Sequence, residues 1–173
     1  MVERRPILRH DRMVCFDDGA DRFQMRAAAI AIRNGRVLVQ NLAGNPTTFL
    51  PGGRIEQGEA SPETLVREMQ EEFGHVVEVE DLVFVIEAFY PERSQLFHEV
   101  GLYYRIAVAD DFPYHDTDIC HRCYEGTVEM EYRWVVVTEA ALSAARFHPA
   151  TLRPRLGSLP ATTVHIVDRA DGA

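Results

Sequence analysis

The sequence is short of cysteine. It has three, Cys15, Cys120 and Cys123, too few and odd in number for a disulfide framework. That excludes the stapled folds of small secreted domains and leads us to expect a reducing, cytoplasmic compartment. Long apolar runs are missing too. Nowhere do 18 apolar residues follow one another, so no transmembrane helix is expected. The opening "MVERRPILRHDRMV" lacks the apolar stretch of a signal peptide. Positive charge is in deficit: 18 Lys and Arg stand against 27 Asp and Glu, a net charge of -9. Such a surface argues against broad binding to nucleic acid or to anionic membranes. An anionic substrate would have to be met by local positive charge, from a metal ion or from placed arginines. We also find no internal repeat, low-complexity tract or linker.

What is present suits one folded domain over 1–173. Its 46% hydrophobic and 26% charged residues are ordinary for a globular chain long enough to bury a sizeable core. "RAAAIAIRNGRVLVQ" (26–40) predicts a hairpin, because Asn-Gly between two β-leaning runs is the strongest short turn signal. "TTFL" (47–50) reads as a short strand feeding Pro51-Gly52-Gly53. "EASPETLVREMQEEFG" (59–74) predicts a helix. Ser61 is its expected N-cap, Pro62 fits the first turn, Glu63 suits the positive dipole end and Gly74 is the stop. Further strands are expected over 76–90, 99–109, 128–137 and 162–168, with a polar loop over 110–126. A short helix over 138–147 would start from Thr138. The tail "RADGA" is expected to fray. These elements alternate without strict periodicity, which predicts an α/β fold: a mixed sheet with helices on its faces.

The chemistry concentrates in the first helix. Leu65, Val66, Met69 and Phe73 recur at i, i+1, i+4 and i+8, the spacing of one buried face. Glu68, Glu71 and Glu72 are related by i+3 and i+4 and share another face. A Glu-rich helix is usually just solvated. Here no lysine lies near to relieve the repulsion, and only Arg67 is in reach. A Gly-Gly turn precedes the helix and lets backbone carbonyls approach a ligand closely. Clustered carboxylates with a backbone carbonyl make a hard-oxygen site suited to Mg²⁺. A bound divalent ion would relieve the repulsion and polarise a phosphoryl oxygen.

These residues resemble the Nudix hydrolase family. Its 23-residue box has seven fixed positions, and Gly53, Glu59, Arg67, Glu68, Glu71, Glu72 and Gly74 match all of them. At roughly 7% per residue type, a chance match is on the order of 10⁻⁸. Pro51-Gly52 is similar to the family's usual lead-in. His75 departs, standing where an aliphatic residue is usual, and is expected to alter packing rather than chemistry. The box covers 53–75. A weaker resemblance extends over about 26–150 and includes "YRWVVVTEA"; residues 1–25 and 151–173 rest on no motif.

The resemblance implies a Nudix α/β/α sandwich. It implies hydrolysis of a diphosphate linkage in a nucleoside diphosphate joined to another moiety, with Mg²⁺ or Mn²⁺ as cofactor. Glu71, Glu72 and the Gly52 carbonyl match metal ligands. Glu68 matches a further ligand or the general base. Arg67 and Glu59 match a bracing pair, with Gly53 and Gly74 as structural glycines. Glu56 and Glu63 are expected to face solvent. A further carboxylate from outside the box would be Glu125 or Glu129, and Glu125, beside Gly126, is favoured. The substrate is a small nucleotide that the sequence does not specify. Tyr90 and Tyr103 are candidates to stack a base, as are Phe89 and Tyr104. A nucleotide sensor or interaction module without turnover is the alternative, against which the intact box counts. Cys120 and Cys123 with His115 and His121 form one isolated Cys-x-x-Cys, a weak zinc signal beside the plainer reading of reduced thiols in a polar loop. A homodimer is expected from base rates alone.

Overall fold

A computed structural model describes residues 12–92 and 94–169. Most of the opening stretch and all of the tail beyond Arg169 lie outside the described residues. Within them the elements run β1 (Cys15–Asp18), β2 (Asp21–Arg33), β3 (Arg36–Leu42), β4 (Gly52–Arg54), α1 (Ser61–Phe73), β5 (Glu78–Glu92), β6 (Gln95–Ala107), β7 (Ile119–Glu125), β8 (Val128–Val136), α2 (Glu139–Ala144) and β9 (Val164–Arg169). A 3₁₀ turn, Ala150–Leu152, follows α2.

All nine strands join one mixed sheet in the order β7-β8-β3-β2-β6-β5-β9, with β1 and β4 both on β2. The β2–β6 and β5–β9 pairings are parallel; the rest are antiparallel. The expected hairpin forms at Asn34-Gly35, both with positive φ, as a two-residue turn of this type demands. Only Ile32↔Val37 and Arg33↔Arg36 pair across it. Beyond them the strands part, and the segment ahead of α1 fills the gap: Phe49 bridges Gln40, and Gly52 and Gly53 pair with Ala28 and Ala27. The glycine turn is thereby fixed inside the sheet.

The period-2 alternation of strands divides the core. Ala27, Ala29 and Ala31 of β2 face α1 and meet Leu65, Met69 and Phe73. Ala28 and Ile30 face the other way, toward Phe84, Ile86, Leu142, Phe147 and Leu152. Helices therefore cover both faces, the α/β/α arrangement expected. The small alanines bring α1 close to the sheet, and each of its buried large side chains contributes about 1.5–3 kcal/mol.

Several expectations need correction. "TTFL" is not a strand; Thr48 and Phe49 form isolated bridges and the strand begins at Gly52. The loop expected over 110–126 ends early, because Ile119–Glu125 pairs with β8. The cap of α1 is Ala60, not Ser61. The Glu63 carboxylate accepts from the Ala60 amide at 2.8 Å and so supplies the capping bond. Ser61 is instead hydrogen-bonded to the Tyr104 hydroxyl at 2.7 Å. Val66 is only partly buried, and Thr64 takes the covered position. Helix α2 is shorter than the 138–147 span, though the Thr138 hydroxyl does accept from the Ala141 amide. No described helix is long and apolar enough to cross a membrane.

Candidate active site

The carboxylate face of α1 turns toward β4 on one side and toward β7 and β8 on the other. Arg67 organises its first half. The guanidinium grips Glu59 with two bonds, Nε to Oε1 at 2.8 Å and Nη2 to Oε2 at 3.1 Å. Glu59 also accepts from the Thr64 hydroxyl and the Glu56 amide. These donors, Arg67 foremost, hold its pKa down at about 2. The expected Arg67–Glu59 pairing is thus present in the geometry, and it ties the loop after β4 to the helix. Glu63 faces solvent as expected, while Glu56 is partly covered and pairs with Arg12 at 3.4 Å.

Arg67 also relieves the crowding of charge. Its Nη1 reaches Glu68 Oε1 at 2.8 Å and Glu71 Oε2 at 3.3 Å. Glu68 lies against Gly53 so closely that a Cβ there would overlap its carboxylate. Burial raises the Glu68 pKa, and Arg67 opposes that shift. Gly52 has φ 138° and packs on the Ala27 backbone, where no side chain fits. Its carbonyl accepts from Arg26 Nη2 at 3.1 Å, which leaves a second lone pair.

Glu72 differs from its neighbours. It is largely buried, and desolvation pushes its pKa up to about 7. The Tyr132 hydroxyl acts as a hydrogen-bond partner that opposes the shift, while the charges of Glu68 and Glu125 add to it. Its Oε2 has no hydrogen-bond partner. Glu125 thus lies within electrostatic range, on the β7 face that also carries His121 and Cys123. Glu129 sits on the opposite face, paired with Arg122 at 3.6 Å. Glu71 is 61% exposed. Gly74 ends α1 with φ 69°.

Among the described residues no three His, Cys, Asp or Glu side chains converge as a ready chelate; Glu68 and Glu71 turn to Arg67 instead. The donor set nevertheless fits a hard divalent cation. Glu72 offers a buried oxygen without a hydrogen-bond partner, Glu68 and Glu71 share its helix face, and the missing side chain at Gly53 lets the Glu68 carboxylate lie directly against the glycine turn.

The aromatic candidates are all engaged. Tyr103 is 6% exposed, its ring folded over Gly101, so it has no open face for a base. Tyr90 is partly exposed, stacked on Phe97, and its hydroxyl donates to Glu99 at 3.1 Å. Phe89 stacks on His98 beneath Arg169. His75 packs edge-on against Phe112. The cysteine loop residues do not meet as a group. His115 accepts from the Thr117 and Asp118 amides, His121 reaches the Glu72 carbonyl, and the two thiols contact opposite ends of Tyr132.

Sequence reasoning missed Arg26, Tyr132 and the buried Gln24–Glu99 pair, whose side chains meet at 2.5 Å. Arg26 and Tyr132 sit in ordinary strand patterns, and only tertiary pairing brings them to α1.

A NUDIX domain matches residues 23–156. Among solved structures, a mutator MutT protein from Bacillus halodurans is 16% identical. The alignment covers 82% of this chain and 89% of that one, with a TM-score of 0.54. A MutT protein from Methanosarcina mazei Go1 is 20% identical, with coverages of 79% and 91% and a TM-score of 0.53. Those likenesses are of fold. No curated protein matches. Fold and carboxylate helix together define a Nudix-type sandwich. With a family match over more than half its length, the chain belongs to the Nudix family.

Proposed function

We propose that the chain is a divalent-metal-dependent hydrolase. It cleaves the diphosphate linkage of a nucleoside diphosphate joined to another moiety. One observation carries this reading: Glu68, Glu71 and Glu72 share a helix face beside the Gly52–Gly53 turn, braced by the Arg67–Glu59 fork. Mg²⁺ or Mn²⁺, when bound, supplies Lewis-acid polarisation of phosphoryl oxygens and neutralises charge on the leaving phosphate.

The chain's own residues do the rest. Glu72, Glu71 and Glu68 would hold the cation, with the Gly52 carbonyl as backbone ligand. Arg67 keeps Glu68 and Glu71 oriented. Water attacks phosphorus in line and the P–O bond to the leaving phosphate breaks. A carboxylate takes the proton from that water, either Glu68 from the helix or Glu125 from β7. Burial raises the Glu68 pKa, against the pull of Arg67, and so makes it a stronger base than an ordinary carboxylate. Tyr90, only partly buried where Tyr103 is buried, is the better placed of the two tyrosines to meet substrate.

The test is a screen of nucleoside triphosphates, ADP-ribose, dinucleoside polyphosphates, nucleotide sugars and dinucleotide cofactors, with Mg²⁺ and with Mn²⁺, reading phosphate or mononucleotide release. Turnover is expected with at least one class, abolished by a chelator, and reduced about 10²-fold or more by Glu72→Gln. Full activity of Glu72→Gln would refute the ligand assignment. Nucleotide affinity without any metal-dependent turnover would favour a sensor.

A further inference from the structure

The proposed chemistry leaves one buried carboxylate unused. Glu99 of β6 pairs with Gln24 of β2, and each is 8% exposed. By the alternation of β2 they stand with Ala28 and Ile30, on the sheet face away from α1. Burying a charge is costly unless it gains partners. One Glu99 oxygen has them: Oε2 accepts from Gln24 Nε2 at 2.5 Å and from the Tyr90 hydroxyl at 3.1 Å. Oε1 has no hydrogen-bond partner among the described residues. Unlike Glu72 Oε2, it is not sealed from solvent.

The sheet is hollow beside this oxygen. The β5 partner of Glu99 is Ala88, and the β9 partner of Ala88 is Asp168. A single methyl group thus lies between two carboxylates on strands about 10 Å apart, and Ala88 stays partly exposed. Asp168 accepts from the Thr151 hydroxyl at 3.4 Å, which fixes the far wall. The glycine turn is one strand repeat away. Arg26 is the next β2 residue on this face, about 7 Å from Gln24, and its Nη2 donates to the Gly52 carbonyl at 3.1 Å. Two carboxylates repel a phosphate and accept from hydroxyl groups. In a nucleoside diphosphate held at Gly52, the unit bonded directly to the phosphates is a sugar, and its hydroxyls are the donors within that reach.

We infer that Glu99 is a specificity residue for the sugar joined to the diphosphate: its Oε1 accepts from a sugar hydroxyl, with the ring lying over Ala88. The inference rests on the proposed function given above and deepens it. The nucleoside's ribose and a sugar on the far phosphate share this chemistry, and the probes distinguish them.

The test uses the full chain with Mg²⁺ and three probes: ADP, its 2′,3′-dideoxy form and ADP-ribose. Calorimetry reads the binding of the first two, and product release reads KM and kcat for the third. Glu99→Gln keeps the shape and removes the charge. With the nucleoside's ribose at Glu99, its dissociation constant for ADP is expected to rise by about 10-fold while that for the dideoxy form stays. With the far sugar there, ADP binding stays and KM for ADP-ribose rises by about 10-fold with kcat little changed. Mn²⁺ binding without nucleotide and melting temperature are expected to stay near those of the unaltered chain. Equal losses for all three probes would show a structural pair only and overturn the inference, as would no loss for any, or no binding by any. Ala88→Leu fills the floor of the groove and keeps the question decidable if Glu99→Gln fails to fold. The same selective loss is expected, and its absence overturns the inference. Metal-dependent turnover of nucleoside triphosphates without this selectivity overturns the inference and leaves the proposed function standing; no turnover of any nucleotide class overturns both.

Discussion

Arg67 shows why the cation at this place is a guanidinium. It serves Glu59, Glu68, Glu71 and the Arg54 carbonyl at once, which needs a planar fork with several donors; an ammonium is a point charge. The chain contains no lysine at all. Glu59 is the partner whose loss should show most clearly in stability. Its folded pKa, about 2, lies below the ordinary carboxylate value of 4.5. The contribution is therefore fully present above about pH 4.5 and is lost as pH falls toward 2. Glu59→Gln is expected to cost about 1.5–3 kcal/mol at pH 7, the range of a hydrogen bond to a charged group. Urea unfolding at pH 7 and pH 3 would measure it, and the gap between the two proteins should narrow at pH 3. An equal gap at both values would mean that the pair contributes no pH-dependent stability. This pairing was legible beforehand, because the box spacing places both residues. Arg26 was not. Its guanidinium reaches the Leu50 and Gly52 carbonyls, a contact made by strand pairing across some 25 residues of chain.

At the scale of elements, local signals were readable and borrowed ones were not. The hairpin carries its own Asn-Gly turn, and α1 carries its own apolar spacing and terminal Gly74. By contrast, Gly52–Arg54 has no strand propensity and becomes β4 only because β2 pairs with it. Strand β7 hid for a different reason. Its side toward the carboxylates carries His121, Cys123 and, at its exposed end, Glu125, so that side is polar and gives no apolar alternation. The closeness of β4 to α1 makes a further prediction. In Gly53→Ala the new methyl would occupy the place of the Glu68 carboxylate. That group ends a flexible side chain and can swing away, so stability should fall little. Activity should fall about 10²-fold, the usual effect of an ångström of misplacement. Melting temperature and kcat, measured on the same preparation, separate the two. A large loss of both would mean that the turn itself had moved. Gly52→Ala is the contrasting case: its methyl meets the Ala27 backbone, and it should fail to fold stably.

Across the whole molecule the dominant quantity is a net charge of -9. Self-repulsion of this size weakens a compact state, and any added salt eases it by screening. A divalent cation held by the α1 carboxylates would do something more specific, binding the folded chain and not the unfolded one. Free Mg²⁺ at about 100 times its dissociation constant would then add about 2.7 kcal/mol. For a chain of this length that corresponds to a rise of roughly 5–10 °C in melting temperature. Sodium chloride at matched ionic strength should give only the screening part. The excess of Mg²⁺ over sodium chloride should vanish in Glu72→Gln, whose buried oxygen can no longer carry charge, while the response to sodium chloride stays. Equal responses to the two salts in the unaltered chain would mean that the cluster on α1 acts only as surface charge, and that the repulsion along Glu68, Glu71 and Glu72 is relieved by Arg67 alone.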